Sequence, residues 1–140
     1  MRSEYGARAV VDLAQHYSQG PVQSADIAGR QGIPEAYLEQ LMTTLRKSGL
    51  IRSTRGPHGG HELARAPDEI RCADIVLALE GPLWSEDAVD GGASDVGRCC
   101  GLREVWQEAV TSAQRILEGV TVRDLLERQR ARENRPMYHI

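Results

Sequence analysis

The sequence predicts a mainly α-helical chain with one small β-hairpin. Three observations predict it. Two short helical segments meet at a tight glycine turn, Gly32-Ile33. A Gly/Pro-rich hairpin pattern follows them directly, over residues 50–63. A long amphipathic stripe then begins at Leu102. Helix, helix and hairpin in that order outline a winged helix-turn-helix, and the stripe predicts a long C-terminal dimerisation helix.

Each element has its own signal. Tyr5, Ala9, Leu13 and Tyr17 recur at helical spacing, which predicts a first helix from residue 2 to about 18, stopped by Gly20-Pro21. Ser24 is an N-cap candidate for a second helix over Ala25 to Gln31, and Gly32 is its stop. Ile33-Pro34 opens a third helix with Ala36, Leu38, Leu41 and Leu45 as its apolar positions and Gly49 at its end. Strand-like pieces at Leu50–Thr54 and His61–Leu63 flank the turn Arg55-Gly56-Pro57-His58-Gly59-Gly60.

Residues 71–80 read as a short helix halted by Gly81-Pro82, and residues 83–99 as an acidic, glycine-rich loop without periodicity. Leu102, Val105, Trp106, Ala109, Ala113, Ile116, Leu117 and Val120 form one apolar stripe. Thr121-x-x-Asp124 has the form of a capping box that restarts a helix through Leu125 and Leu126. The chain thus divides into a reading domain (1–66), an assembly region (67–133) and an exposed tail (134–140).

Composition narrows the function. The 140 residues are 41% hydrophobic and 26% charged, as expected of a globular protein. Phe is absent, so the core must rest on Leu, Ile, Val and Ala. No apolar run approaches the ~18 residues of a membrane span. The first residues lack the apolar stretch of a signal peptide, so a cytoplasmic location with no membrane partner is expected. The net charge of −3 hides an asymmetry. Residues 1–66 carry eight basic and six acidic side chains, and residues 67–140 carry nine and fourteen. A basic front and an acidic back suit a nucleic-acid-reading end joined to an assembly end. There is no Ser/His/Asp grouping, phosphate loop or metal motif with ligand spacing, so an enzyme is not expected.

A recognition helix enters the major groove with its N-terminal side chains on base edges. Tyr37, Glu39, Gln40 and Thr43 are the candidates there. Glu39 can accept from a cytosine amino group and Gln40 can bond adenine twice. Arg46 and Lys47 suit phosphates, as does Ser24 with the first N–H groups of its helix. In the wing, Gly56 and Gly59 let the backbone approach DNA. Arg55 can then enter a narrow minor groove, with Arg52 and His58 beside it. A second copy of the chain would give the stripe Leu102, Val105, Trp106, Ala109, Ala113, Ile116 and Leu117 its partner.

The strings Tyr37-Leu38-Glu39-Gln40-Leu41, Leu45-Arg46-Lys47-x-Gly49-Leu50 and Arg55-Gly56-x-x-Gly59-Gly60, in this order of elements, resemble the Rrf-two family of bacterial regulators, the IscR, NsrR and CymR type. The resemblance runs from about residue 2 to residue 128. It implies a transcription regulator, most simply a repressor. Such a protein is a homodimer on a palindromic double-stranded DNA operator, with Arg55 and Glu39 at base-reading positions.

Some members carry an iron–sulfur cluster on three cysteines before the long helix, the last of them six residues before a Trp. Here Cys100 stands six before Trp106, but residues 83–98 hold no cysteine, and Cys99 adjoins Cys100. No cofactor is therefore expected. The alternative is a cluster-based sensor of redox state, nitric oxide or iron that uses Glu4, Cys99 and Cys100. The ending Met137-Tyr138-His139-Ile140 is similar to the tail of the cluster-free CymR branch. That likeness implies control of sulfur or cysteine metabolism genes and a possible partner, O-acetylserine sulfhydrylase, held through Tyr138 and Ile140.

Overall fold

The computed structural model describes residues 2–83 and 101–135. In chain order the elements are α1 (Arg2–Gln15), α2 (Ser24–Gln31), α3 (Glu35–Lys47), β1 (Ile51–Thr54), β2 (Gly60–Leu63), α4 (Cys72–Glu80), α5 (Leu102–Glu118) and α6 (Val122–Glu133). The mainly helical class with one hairpin wing is as the sequence predicts.

α1 is the central post. Ala9, Val10, Val11, Leu13 and Ala14 are all buried, and α2, α3, α4, α6 and β2 pack around it. It ends at Gln15, three residues short of the expected end. His16 N donates to Leu13 O at 3.1 Å and Tyr17 N to Ala14 O at 3.3 Å, tightening the last turn. Ser18 then turns the chain at φ 67°. Tyr17 therefore leaves the apolar stripe and is 43% exposed.

α3 buries Leu38, Leu41, Met42 and Leu45, as a 3.6-residue period requires. Ala36 was expected on that face, but it is exposed in the first turn. Pro34 is the N-cap of α3, so the helix proper opens at Glu35. β1 and β2 pair antiparallel in the register Ile51↔Leu63, Arg52↔Glu62, Ser53↔His61 and Thr54↔Gly60. The expected first strand included Leu50, which is buried just ahead of it.

The Thr121 capping box forms. Asp124 N donates to Thr121 Oγ1 at 3.2 Å, and Thr121 N donates to Asp124 Oδ2 at 2.9 Å. α6 then returns Val122 and Leu126 to the core. α5 differs from every other helix, because none of its 17 residues is buried. It stops at Glu118, so Val120 is not on its stripe. Val120 O instead accepts from Cys72 N at 2.8 Å, and Val122 N donates to Ile70 O at 2.8 Å.

Candidate nucleic-acid interface

The candidate site is a helix, a wing and the ties between them. α3 turns Glu39, Gln40, Arg46 and Lys47 to solvent, while its leucines face inward. Thr43 lies on the same helix, half-buried, with its hydroxyl donating to Glu39 O at 2.8 Å. Tyr37 is only partly exposed. Its ring meets Tyr5 edge-on at 5.7 Å, and Arg8 lies over Tyr5 at 5.5 Å. Tyr37 is thus a packing residue on α1 with one edge toward solvent.

The wing exposes Arg52, Arg55 and His58. Arg52 Nε donates to Glu62 Oε1 at 2.8 Å across the hairpin, so its charge is shared with a neighbour. Arg55 and His58 stand at the tip. The tip is shaped by glycine at two positions in particular. Gly56 adopts φ 110°, a conformation side chains rarely reach. A Cβ on Gly59 would run into the Thr54 carbonyl.

Ser24 does not act as a cap. Gln23 occupies the N-cap position of α2, and Ser24 is the first helical residue. The Ser24 hydroxyl is taken instead by a distant partner, lying 2.8 Å from His61 Nε2 on β2. The other ring nitrogen, Nδ1, lies 2.7 Å from Ser53 Oγ on β1. Val22 and His61 also pair through their backbones, N to O at 2.8 Å and 2.7 Å, and Gln23 Nε2 donates to Pro57 O at 3.2 Å. Three ties therefore fasten the wing to the start of α2. Burial pushes the His61 imidazole below its ordinary range, Glu39 pulls it up and Arg46 pushes it down. α3 packs against β1 of the wing.

A second brace holds α2 on α1. Asp12 is fully buried, and its carboxylate accepts from Arg30 Nε at 2.9 Å, Arg30 Nη2 at 2.8 Å and Gln31 Nε2 at 2.9 Å. This pairing holds the Arg30 guanidinium above its ordinary value. Asp12, Gln23, Arg30 and His61 were not among the site residues expected from the sequence. Their side-chain ties between α1, α2 and the wing span 18 to 37 positions, and no local pattern marks them.

On α5, Leu102, Val105, Trp106, Ala109, Ala113 and Ile116 are exposed and Leu117 is half-buried. Of the cluster candidates, Glu4 is exposed and paired with Arg8 at 2.9 Å. Cys99 and Cys100, like Tyr138 and Ile140 of the tail, lie outside the described residues.

Residues 1–128 match the Rrf2 family, described as an iron-dependent transcriptional regulator. The chain belongs to the Rrf2 family. A protein named rrf2 from Nitratidesulfovibrio vulgaris (strain Hildenborough) is 41% identical over 128 residues, covering 89% of this chain and 84% of that relative. The helix-turn-helix-type transcriptional regulator CymR of Bacillus subtilis (strain 168) is 30% identical over 139 residues, covering 99% of this chain and 96% of its own. The solved structure of T. potens IscR superposes with a TM-score of 0.77 at 38% identity, over 99% of this chain and 92% of that one.

An iron–sulfur cluster needs converging thiolates or their substitutes. Among the described residues, no three His, Cys, Asp or Glu side chains converge as a metal site. Cys72 is half-buried, and burial pushes its thiol up, away from the thiolate a metal requires. Among the described residues, no helix is long and apolar enough to cross a membrane.

Proposed function

We propose that this Rrf2-family chain is a repressor that grips a palindromic DNA operator as a homodimer. The observation that carries the reading is the joint surface of α3 and the wing. Glu39 and Gln40 face outward on α3, Arg46 and Lys47 close its end, and Arg55 is exposed at the wing tip. In this reading Glu39 and Gln40 meet base edges in the major groove. Arg46, Lys47 and the start of α2 hold phosphates, and Arg55 occupies the minor groove.

The dimer follows from α5. A helix of 17 residues with no buried side chain and a largely exposed apolar stripe has little of the tertiary packing from which helices draw most of their stability. A second copy supplies it. Selection of duplexes from a random library tests the reading: it should recover two-fold symmetric sites, bound two chains per site. Arg55→Ala should weaken binding and relax preference at the wing-facing base pairs. Recovery of no duplex would overturn the proposal.

The finer reading is a cluster-free repressor of sulfur or cysteine genes. It is supported by the match to CymR over nearly the whole of both chains and by a sequence with no cysteine in residues 83–98. Here the tail residues Tyr138 and Ile140 would hold an O-acetylserine sulfhydrylase. The competing reading, an iron–sulfur sensor, has the family's description in its favour. Anaerobic purification separates them. A colourless, iron-free protein supports the first, and visible absorption with stoichiometric iron supports the second. A chain lacking Ile140 that keeps full sulfhydrylase affinity would remove the tail from the reading.

A further inference from the structure

His61 stands where four elements meet. Its ring nitrogens lie 2.8 Å from Ser24 Oγ on α2 and 2.7 Å from Ser53 Oγ on β1. Its backbone pairs with Val22 ahead of α2. From α3, Glu39 and Arg46 act on the ring with opposite signs.

The ring's hydrogen-bond inventory has a consequence for both serines. A neutral imidazole has one N–H and one bare nitrogen. One serine must therefore accept from the ring, and the other must donate into it. The accepting serine keeps its own O–H free for another acceptor, while the donating serine has none left. An imidazolium donates at both nitrogens and frees both hydroxyls. A DNA phosphate only accepts, and it carries negative charge. It therefore favours the form with a free hydroxyl and a cationic ring.

We propose that His61 is a positioning residue that couples the grip of the wing and α2 on the DNA backbone to the uptake of a proton. This rests on the DNA-binding reading above. Ser24 and Ser53 present the hydroxyls, and the ring decides which of them can donate. Glu39 supports the charged ring and Arg46 opposes it. Burial disfavours the charged ring in the free protein. Bound phosphates raise its proton affinity. Operator affinity therefore rises as pH falls through the bound-state value, and it levels off below the free-state value. Uptake of one proton sets a limiting slope of about tenfold per pH unit for each wing.

The test uses a fluorescent duplex carrying a site selected from the random library, titrated from pH 8 to pH 5.5 at fixed ionic strength. Both proteins carry His58→Gln, so that the wing-tip imidazole adds no titration. His61→Gln keeps one donor and one acceptor for the two serines but does not titrate. We expect affinity to rise several-fold with acid when His61 is present and to stay flat with Gln. In the wild-type chain, NMR should show the His61 ring titrating at higher pH when the duplex is added. Equal pH slopes in the two folded proteins, or an unmoved ring midpoint in the wild type, would overturn the role of His61 and leave DNA binding standing. A wild-type chain that binds no duplex would overturn both.

Discussion

The brace between α1 and α2 gives the sharpest stability prediction. Asp12 is 0% exposed and Arg30 41% exposed, so the two ends of the pair differ in what they lose when separated. Asp12→Ala removes three hydrogen bonds to a charged acceptor. Such bonds are worth about 1.5–3 kcal/mol each in isolation. Arg30 regains water on its open side, which returns much of its share. The expected cost is about 2–4 kcal/mol, below that of a wholly buried pair and above that of a surface pair. Arg30→Ala leaves the buried carboxylate with Gln31 and a more distant His16, 3.7 Å away. It should cost more, about 3–5 kcal/mol. Urea unfolding at one fixed protein concentration reads both, because a dimer's midpoint moves with concentration. The reasoning fails if Asp12→Ala lies within about 0.5 kcal/mol of the wild type, the range of an ordinary surface change. It also fails if Arg30→Ala proves the milder of the two.

Three other outcomes follow from particular contacts. A Cβ on Gly6 would collide with Leu79 Cδ1 of α4, so Gly6→Ala should cost about 1–3 kcal/mol in a denaturant melt, and its cost should shrink when measured in a Leu79→Ala background. Trp106→Glu with Ile116→Glu places two charges on the α5 stripe, and sedimentation should show a folded monomer with operator affinity reduced at least tenfold. Ser3 N and Oγ both donate to Glu80 Oε1 at 3.0 Å, holding that carboxyl below its ordinary value. Its contribution is present above the unfolded value and is lost as pH falls through the folded one. Glu80→Gln should therefore flatten the acid limb of the stability–pH curve.

The regular parts of the fold were legible because they are local. Leu38, Leu41 and Leu45 repeat at the helical period, and Thr121 and Asp124 sit three apart as a capping box must. What was illegible is what tertiary partners decide. Ser24 has the chemistry of a cap, but His61, 37 positions away, takes its hydroxyl. Asp12 carries no local mark of burial, and Arg30 and Gln31 of α2 close over it. Val120 continues the stripe in sequence and leaves it in space, because the chain turns after Glu118 to meet Cys72. In the candidate interface, Glu39, Gln40 and Arg55 could be chosen from position and residue type alone. The wing's attachment through Gln23 and His61 could not, since each pair belongs to two different elements.

The way α5 is mounted bears on how two reading heads would keep their distance. Its C-terminal end is fixed to the head at several points. Arg71 Nη1 donates to Glu118 O at 2.7 Å, Cys72 N to Val120 O at 2.8 Å, and α6 then buries Val122 and Leu126 in the same core as α1. A stiff joint there means that pairing two α5 helices also sets the separation of the two α3 helices. Half-site spacing on DNA is then a geometric property of the dimer, repeating with the helical turn of about 10 bp. Arg71→Ala removes a side-chain tie to the end of α5 and leaves the backbone ties and the stripe in place. The dimer should survive, while the penalty for inserting one base pair between half-sites should shrink. Binding to a series of duplexes with spacers altered one base pair at a time measures this directly. A spacer profile as sharp as that of the wild type would mean that the joint's stiffness resides in the backbone pairing of residues 70–72 with 120–122, and that Arg71 serves only to cap α5.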